Sequence, residues 1–428
     1  MRKCRMPKFV YSILLYSALP FVPLKLLWRG IKQPEYLKHW GERFGFYNLT
    51  LNNKTIIWLH CVSVGETRAA EPLVNALKST YPNHQILITH GTPTGRETSE
   101  KLFGNDVWRV YLPYDLPFAI NGFLKHFAPK IGLIMETELW FNLISACKHR
   151  EVSLLLLNAR LSEKSANGYR KLGNLVINGV QSLSAIAAQT KEDAARLQTL
   201  GAQHLTIVGN LKFDVKPPAD ALDKGLQLKK QLVKKPVFLA ASTRDGEEAL
   251  ILDAIKDLDL LTIIVPRHPQ RFDEVAALLN QRGIDFALKT SLYNNTLEAN
   301  IHAGSSPCVI LGDTMGELFT YYAACDFAFI GGSLLNYGGQ NLIEAATMGK
   351  PILIGEHTFN FAKATEDAVN CGAAMRVKNS AELNEKIVYL LENEAKRLAM
   401  ESAALQFSAE STGATARMMA LIKPFLNA

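Results

Sequence analysis

The chain has 428 residues, and at about 150 residues per domain that length predicts two or three domains. A composition of 48% hydrophobic and 20% charged residues excludes a disordered tail, a collagen-like rod and a coiled coil, and reads as an α/β globular enzyme. Its 47 basic and 40 acidic residues leave a net charge of +7, which points to an anionic partner without choosing nucleic acid, lipid or nucleotide.

In chain order, Arg2, Lys3, Arg5 and Lys8 precede the apolar run at residues 9–24, and Lys25, Arg29 and Lys32 follow it. A membrane-crossing helix needs about 20 apolar residues. This run is shorter, contains Pro20 and Pro23, and carries cations on both flanks. It is expected to form an N-terminal membrane-anchor helix that lies in or dips into a membrane interface, its cations on lipid phosphates, with the basic segment continuing to Arg43. A cleaved signal peptide competes, but no small-x-small site follows, and a buried helix is the plain structural alternative. Cys4, Cys61, Cys147, Cys308, Cys325 and Cys371 form no CxxC and no zinc-like spacing to histidine, so they read as free thiols of a body on the cytosolic side of the membrane.

Next, β-branched runs alternate with helical patterns, the signature of parallel βαβ units. Strands are predicted at 56–62, 85–90, 108–112, 130–135 and 154–158, then at 237–243, 261–266, 308–313, 327–332 and 351–355. The Pro- and Lys-rich stretch 216–236 reads as a linker, and 380–428 as helical. The expected organisation is an interfacial segment over 1–43, a Rossmann-like acceptor domain over 44–215, the linker 216–236, a Rossmann-like donor domain over 237–405 and a C-terminal helix over 406–428. Two such domains facing a central cleft suit a donor in one and an acceptor in the other, at the carboxyl ends of the strands.

Several motifs fall at those strand ends. Ser63-Val64-Gly65-Glu66 follows the first strand, and Glu66 there is either a helix cap or a general base for an attacking hydroxyl. Met135-Glu136-Thr137-Glu138 follows the fourth strand; its carboxylates can bind a metal or sugar hydroxyls or be a solvated loop, and no nearby histidine completes a metal site. Asp257-Leu258-Asp259 imitates the DxD of metal-dependent sugar transferases but falls on the amino-terminal side of the sheet and reads as surface. Pro266-Arg267-His268-Pro269-Gln270-Arg271 makes a rigid cationic loop suited to phosphate or carboxylate, or a basic surface turn. Gly312-Asp313-Thr314-Met315-Gly316-Glu317 offers backbone amides to an anion. The densest glycine region runs through Gly331, Gly332, Gly338 and Gly339 to a helix expected from Asn341, where Glu344 is placed to take two ribose hydroxyls. No Walker loop and no GxGxxG after the first strand occur, which weighs against an NTPase or a dehydrogenase.

Taken together, RGIKQPEYLKHWGERFGFY, HCVSVGE, METELW, NARLSEKS, GNLKFD, PRHPQRF, GDTMGEL and GGSLLNYGGQNLIEAA, in that order over nearly the whole chain, resemble the transferases of 3-deoxy-manno-octulosonic acid (Kdo) in lipopolysaccharide biosynthesis. The resemblance implies a GT-B fold and an inverting, metal-independent transfer of Kdo from CMP-Kdo to a lipid A precursor (lipid IVA), releasing CMP at the cytoplasmic side of the bacterial inner membrane. It implies no cofactor and no nucleic-acid partner. By the same resemblance Glu66 is the general base, and Glu136 and Lys212 assist the transition state. Pro266, Arg267, Met315, Gly316, Glu317, Asn341, Leu342, Ile343 and Glu344 would contact CMP. Lys212 would neutralise either the Kdo carboxylate or the departing phosphate. One position departs from the family pattern: Gln340 stands where histidine is frequent before Asn341, which implies altered fine contacts with activity retained. The competing readings are a GT-B transferase or epimerase that uses a UDP- or ADP-sugar, and a membrane-associated nucleotide-binding module without catalysis.

Overall fold

A computed structural model describes residues 7–214, 217–232, 235–293 and 308–427. Arg2, Lys3, Cys4 and Arg5 of the expected interfacial segment, and Lys216 of the expected linker, lie outside the described residues. The chain divides into two compact units, Met1–Asp214 with Thr412–Ala428, and Val215–Ser411.

The first unit is built on β1 (Ile56–Cys61), β2 (Gln85–His90), β3 (Trp108–Tyr111), β4 (Ile131–Met135), β5 (Ser153–Ala159), β6 (Ala185–Ala188) and β7 (Leu205–Ile207). All pair in parallel, in the order β3-β2-β1-β4-β5-β6-β7. Helices cover both faces, so the central strands are apolar throughout instead of alternating. On one face Trp58 meets Phe123 and Leu156, and on the other Ile57, Leu59 and Cys61 meet Leu73, Val74 and Leu77. The second unit repeats the plan with β8 (Val237–Thr243), β9 (Leu261–Pro266), β10 (Phe286–Leu288), β11 (Val309–Leu311), β12 (Phe327–Ile330), β13 (Ile352–Ile354) and β14 (Ala374–Arg376), in the parallel order β10-β11-β9-β8-β12-β13-β14. In each sheet the winding reverses beside the first strand, between β1 and β4 and between β8 and β12. Crevices at such reversals, outside the carboxyl ends of the strands, are where open α/β sheets bind ligands.

Three expectations about organisation need correction. The stretch 216–236 is not merely a linker: Ala221–Gln231 is a helix packed on Leu318–Ala324 of the second unit. Ala221 and Leu228, seven residues apart, are buried and give it an apolar stripe that Lys224, Lys229 and Lys230 of the same helix hide in composition. The division placed at 405 and 406 falls inside the helix Glu394–Ser411, which stays with the second unit, whereas Ala414–Asn427 returns to the first. There Ala414, Met418 and Ile422 enter the core beneath β1 and β4. Asp214 fastens this return, its carboxylate accepting from the backbone N–H groups of Gly413, Ala414 and Thr415.

Thirdly, residues 9–24 are not one helix. Lys8–Ala18 and Phe21–Lys32 are separate helices bent by 53°, and no single helix among the described residues is long and apolar enough to cross a membrane. The break falls at Leu19-Pro20, where proline has no N–H to donate to the carbonyl four residues back and its ring crowds that carbonyl. The first helix docks on the first unit through Tyr11 Oη to Asp115 (2.8 Å), Ser12 to Asn142 (3.0 Å) and Lys8 to Ser145 (2.6 Å). Phe9, Ile13, Leu14, Phe21, Leu24, Trp28 and Ile31 remain exposed.

Candidate active site

At the carboxyl edge of the first sheet, β1 runs into Val62 and Ser63, and Ser63 caps the helix Val64–Ala69. The Ser63 hydroxyl donates to Glu66 Oε1 (2.9 Å), and the Val62 N–H donates to Oε2 (2.7 Å). The Glu66 N–H is directed back at Ser63 Oγ (3.4 Å), so Glu66 closes a capping box. Capping does not exhaust its chemistry. Glu66 is 7% exposed, and burial pushes its carboxyl up to about 7. The bonds from Val62 and Ser63 oppose that rise, and the charges of Glu136 and Glu138 add to it. A carboxyl that titrates near neutrality is suited to take a proton from a hydroxyl.

The neighbouring carboxylates come from the other side of the winding reversal. Glu136 follows β4 with a left-handed backbone (φ 55°) and is anchored by its N–H on Leu157 O at 2.9 Å. Non-glycine residues in that region are uncommon and gather at functional sites. Lys212 Nζ stands 3.8 Å from Glu136 Oε1. The Leu211–Phe213 turn that carries Lys212 packs against the Glu66 helix. Glu66, Glu136 and Lys212 thus form one cluster in one unit. Glu138 joins them, half-buried, its pKa raised by burial and then by Glu136. Sequence reasoning passed over Asn158, the penultimate residue of β5, which takes a left-handed conformation (φ 52°), is fully buried, and whose Oδ1 accepts from the Leu211 N–H at 3.1 Å to hold the lysine turn. Its only signal was its place within NARLSEKS. Among the described residues no group of three or more His, Cys, Asp and Glu side chains is arranged to hold a metal ion.

The corresponding edge of the second sheet is cationic. Pro266 ends β9, and exposed Arg267 follows with its N–H on Thr243 O (3.0 Å). Arg267 lies close enough to Glu344 to act on its carboxyl, and Asn341 Nδ2 donates to Glu344 Oε1 at 3.1 Å. Burial nonetheless raises the Glu344 pKa against both influences. The helix there is Ile343–Thr347, two residues later than expected, with Asn341 Oδ1 accepting from the Ile343 N–H (3.1 Å). Met315 is exposed, Gly316 takes φ +82°, and Glu317 precedes the helix Leu318–Ala324. Partial burial pulls the Glu317 carboxyl up, but bonds from Lys289 and Thr314 outweigh it and leave the carboxyl below its usual value.

Two features of this edge were not singled out in the sequence. Glu247 is fully buried and accepts from the backbone N–H groups of Arg244 (2.9 Å), Gly332 (2.6 Å), Ser333 (2.9 Å) and Leu334 (3.0 Å). It pins the glycine loop at the β8/β12 reversal. A Cβ on Gly331 would sit 2.4 Å from Ser242 O, which is why only glycine fits there. Arg244 lies over the Tyr337 ring, 4.8 Å from its centroid, and pairs with His268 Nε2 at 3.0 Å. Partial burial and the charges of Arg244, Arg267 and Arg271 lower the His268 pKa, which keeps the ring neutral and able to accept from Arg244. The Asp257-Leu258-Asp259 segment is an exposed turn before β9, with Asp259 paired to Lys235 at 2.5 Å, as its surface reading required.

Comparison with known proteins bears on these two edges. Residues 38–215 match the model of a family described as 3-deoxy-D-manno-octulosonic-acid transferase (kdotransferase). A 3-deoxy-D-manno-octulosonic acid transferase of Bordetella pertussis is 41% identical over 86% of this chain and 87% of its own length. One of Haemophilus influenzae is 36% identical over 98% of this chain and 99% of its own. The crystal structure of a glycosyltransferase from Rickettsia africae superposes with a TM-score of 0.53 at 15% identity, covering 88% of this chain and 99% of that one, and so shares the fold. The two parallel seven-stranded α/β units are therefore of the GT-B type, and the chain belongs to the 3-deoxy-D-manno-octulosonic acid transferases, glycosyltransferases of lipopolysaccharide biosynthesis.

Proposed function

We propose that this chain transfers Kdo from CMP-Kdo to a lipid A precursor, lipid IVA, with inversion at the anomeric carbon and release of CMP. The observation that carries the mechanism is Glu66, buried, titrating at about 7 and clustered with Glu136 and Lys212 at the winding reversal of the first sheet. Glu66 takes the proton from the primary hydroxyl of the glucosamine acceptor as that oxygen attacks the anomeric carbon. The bond to the CMP phosphate breaks on the opposite face, and the anomeric centre passes through an oxocarbenium-like state. Lys212, held beside Glu136, offsets negative charge on the Kdo carboxylate or the leaving phosphate.

On the second unit, Arg267 and the amides around Met315 to Glu317 would hold the departing phosphate, a task that other transferases give to a metal ion. Asn341 orients Glu344 toward the two ribose hydroxyls, with Leu342 and Ile343 forming the wall behind it. The enzyme would work on the cytoplasmic face of the bacterial inner membrane. The exposed apolar side chains of Phe21–Lys32, alternating with Lys25, Arg29 and Lys32, support an interfacial segment that lies on lipid.

Incubation of the protein with CMP-Kdo and a tetraacylated lipid A precursor, followed by mass spectrometry, tests the reading. The expected product is the acceptor enlarged by whole Kdo units together with free CMP. Release of UMP or UDP from a uridine donor, with none from CMP-Kdo, would replace this reading with that of another nucleotide-sugar enzyme.

A further inference from the structure

The carboxylates that surround Arg244 in sequence are committed elsewhere. Glu247 is taken up by four backbone N–H groups, Glu248 binds Arg271 through both oxygens (2.6 and 3.0 Å), and Asp245 also faces Arg271, at 3.6 Å. Half-buried Arg244 itself forms no ion pair among the described residues. Its Nη1 meets His268 Nε2 at 3.0 Å, and that ring is kept neutral. A guanidinium does not shed its proton in a protein, so Arg244 keeps a full positive charge that no described neighbour offsets.

The surroundings hold that charge in one posture. The guanidinium lies over the Tyr337 ring, 4.8 Å from its centroid, and Tyr337 Oη donates to Asp245 O at 3.2 Å, which ties the ring to the loop that carries Arg244. Gly332, at the β8/β12 reversal, takes φ +68°. A Cβ there would lie 3.2 Å from Gln340 Nε2 and 3.4 Å from Arg244 Cγ, so a bare backbone is what leaves room for both side chains. The Gln340 amide is half-buried and has no partner among the described residues.

Arg267 supplies a second cation at the same edge, and its charge acts with that of Arg244 on His268. A Kdo donor presents two anions to match, since the activated phosphate and the carboxylate of the sugar acid are both borne by the anomeric carbon. Lys212 could meet the carboxylate, but it already has Glu136 at 3.8 Å, whereas Arg244 has no such partner. We infer that Arg244, backed by Tyr337 and joined by the Gln340 amide, binds the carboxylate that the donor sugar carries on its anomeric carbon. The second unit thereby selects nucleotide-activated sugar acids over neutral nucleotide sugars. With Nη1 turned to His268, the remaining N–H groups of the planar fork suit the two oxygens of a carboxylate. This role rests on CMP-Kdo being the donor, as proposed above.

The test measures transfer by the full chain to a tetraacylated lipid A precursor from CMP-Kdo and from its analogue with a carboxamide in place of the carboxylate. Calorimetric titration with CMP, which has the phosphate and no carboxylate, runs beside it. Intrinsic reactivity of the two donors cancels when the preference of a variant is divided by that of wild type. In Arg244→Gln the preference for CMP-Kdo should fall by about 10- to 100-fold, the scale of lost charge-assisted hydrogen bonds, through the donor KM and with CMP affinity unchanged. Tyr337→Leu should lower the same preference by a smaller factor, and it carries the test should Arg244→Gln not fold. Variants that keep the wild-type preference overturn the assignment. An Arg244→Gln variant that loses CMP affinity by the same factor as it loses CMP-Kdo overturns it too, by giving Arg244 to the phosphate. Either result leaves the donor reading standing, whereas wild-type protein that releases no CMP from CMP-Kdo sinks the donor reading beneath it.

Discussion

The two sheets present their carboxyl edges with opposite chemistry. In the first unit the reversal between β1 and β4 gathers Glu66, Glu136 and Glu138, and a single lysine, Lys212, pairs with Glu136. In the second, the reversal between β8 and β12 is lined by Gly331 and Gly332 and approached by Arg244, Arg267 and His268. The fold supplies the same crevice twice, and in the proposed mechanism a few side chains make one edge a base and the other an anion site. Each edge also keeps a buried carboxylate bound to backbone N–H groups. Glu66 accepts one such bond and keeps a carboxyl raised to about 7, whereas Glu247 accepts four and serves as a staple.

That contrast can be broken at either edge, beginning with the largest effect. Glu66→Ala should lower kcat by about 10²- to 10⁴-fold, the usual worth of a positioned base, and leave CMP affinity nearly unchanged in a calorimetric titration. In wild-type protein kcat/KM should rise with pH up to about 7 and then level, because only the ionised carboxylate accepts the proton. At the other edge, Arg267→Ala should weaken CMP binding by about 10- to 100-fold with little change in acceptor KM. Equal CMP affinity would remove Arg267 from the phosphate site.

Removing the staple should act on both stability and binding. Glu247→Ala leaves four loop N–H groups without their acceptor. It should destabilise the second unit by about 1–3 kcal/mol and raise the KM for the donor, as read by thermal denaturation and steady-state kinetics. A smaller effect separates catalysis from folding at Glu66. Its carboxyl is raised from 4.5 to about 7, so between those values the folded protein holds a proton that the unfolded chain has lost, and stability falls as pH rises through that window. Glu66→Gln should therefore melt higher than wild type at pH 8, by an amount on the order of 1–3 kcal/mol, with the gap closing toward pH 5. Smallest of all, Asp257→Ala and Asp259→Ala should leave transfer unchanged with or without added divalent cations, since both side chains stand on an exposed turn.

The ten strands placed by sequence were those with continuous β-branched or leucine runs, because burial on both faces writes itself as an unbroken apolar string. β6 (AIAA) and β7 (LTI) escaped that test, being alanine-rich or only three residues long, and β10 and β14 are as short. Glu66 and Glu136 were legible because strand-end position carries meaning in a parallel sheet. The bond from the Leu211 N–H to Asn158 and the staple at Glu247 were not, since each joins residues 53 or more positions apart through a single side chain. The helix within 216–236 was concealed for a different reason. Its buried stripe is narrow, and six lysines lie in the same stretch.

The return of Ala414–Asn427 to the first unit has a consequence for biosynthesis. That helix leaves the ribosome only after the whole of the second unit, yet Met418 and Ile422 fill the core under β1 and β4. The cluster of Glu66, Glu136 and Lys212 in the first unit is thus assembled on a scaffold whose last piece arrives late, while the second unit has every strand it needs beforehand. Asp214, waiting at the far side of the inserted unit, is the residue that receives the returning chain, across 199 positions of sequence. A nascent protein stalled before residue 412 should hold a folded second unit and a first unit still open to proteases.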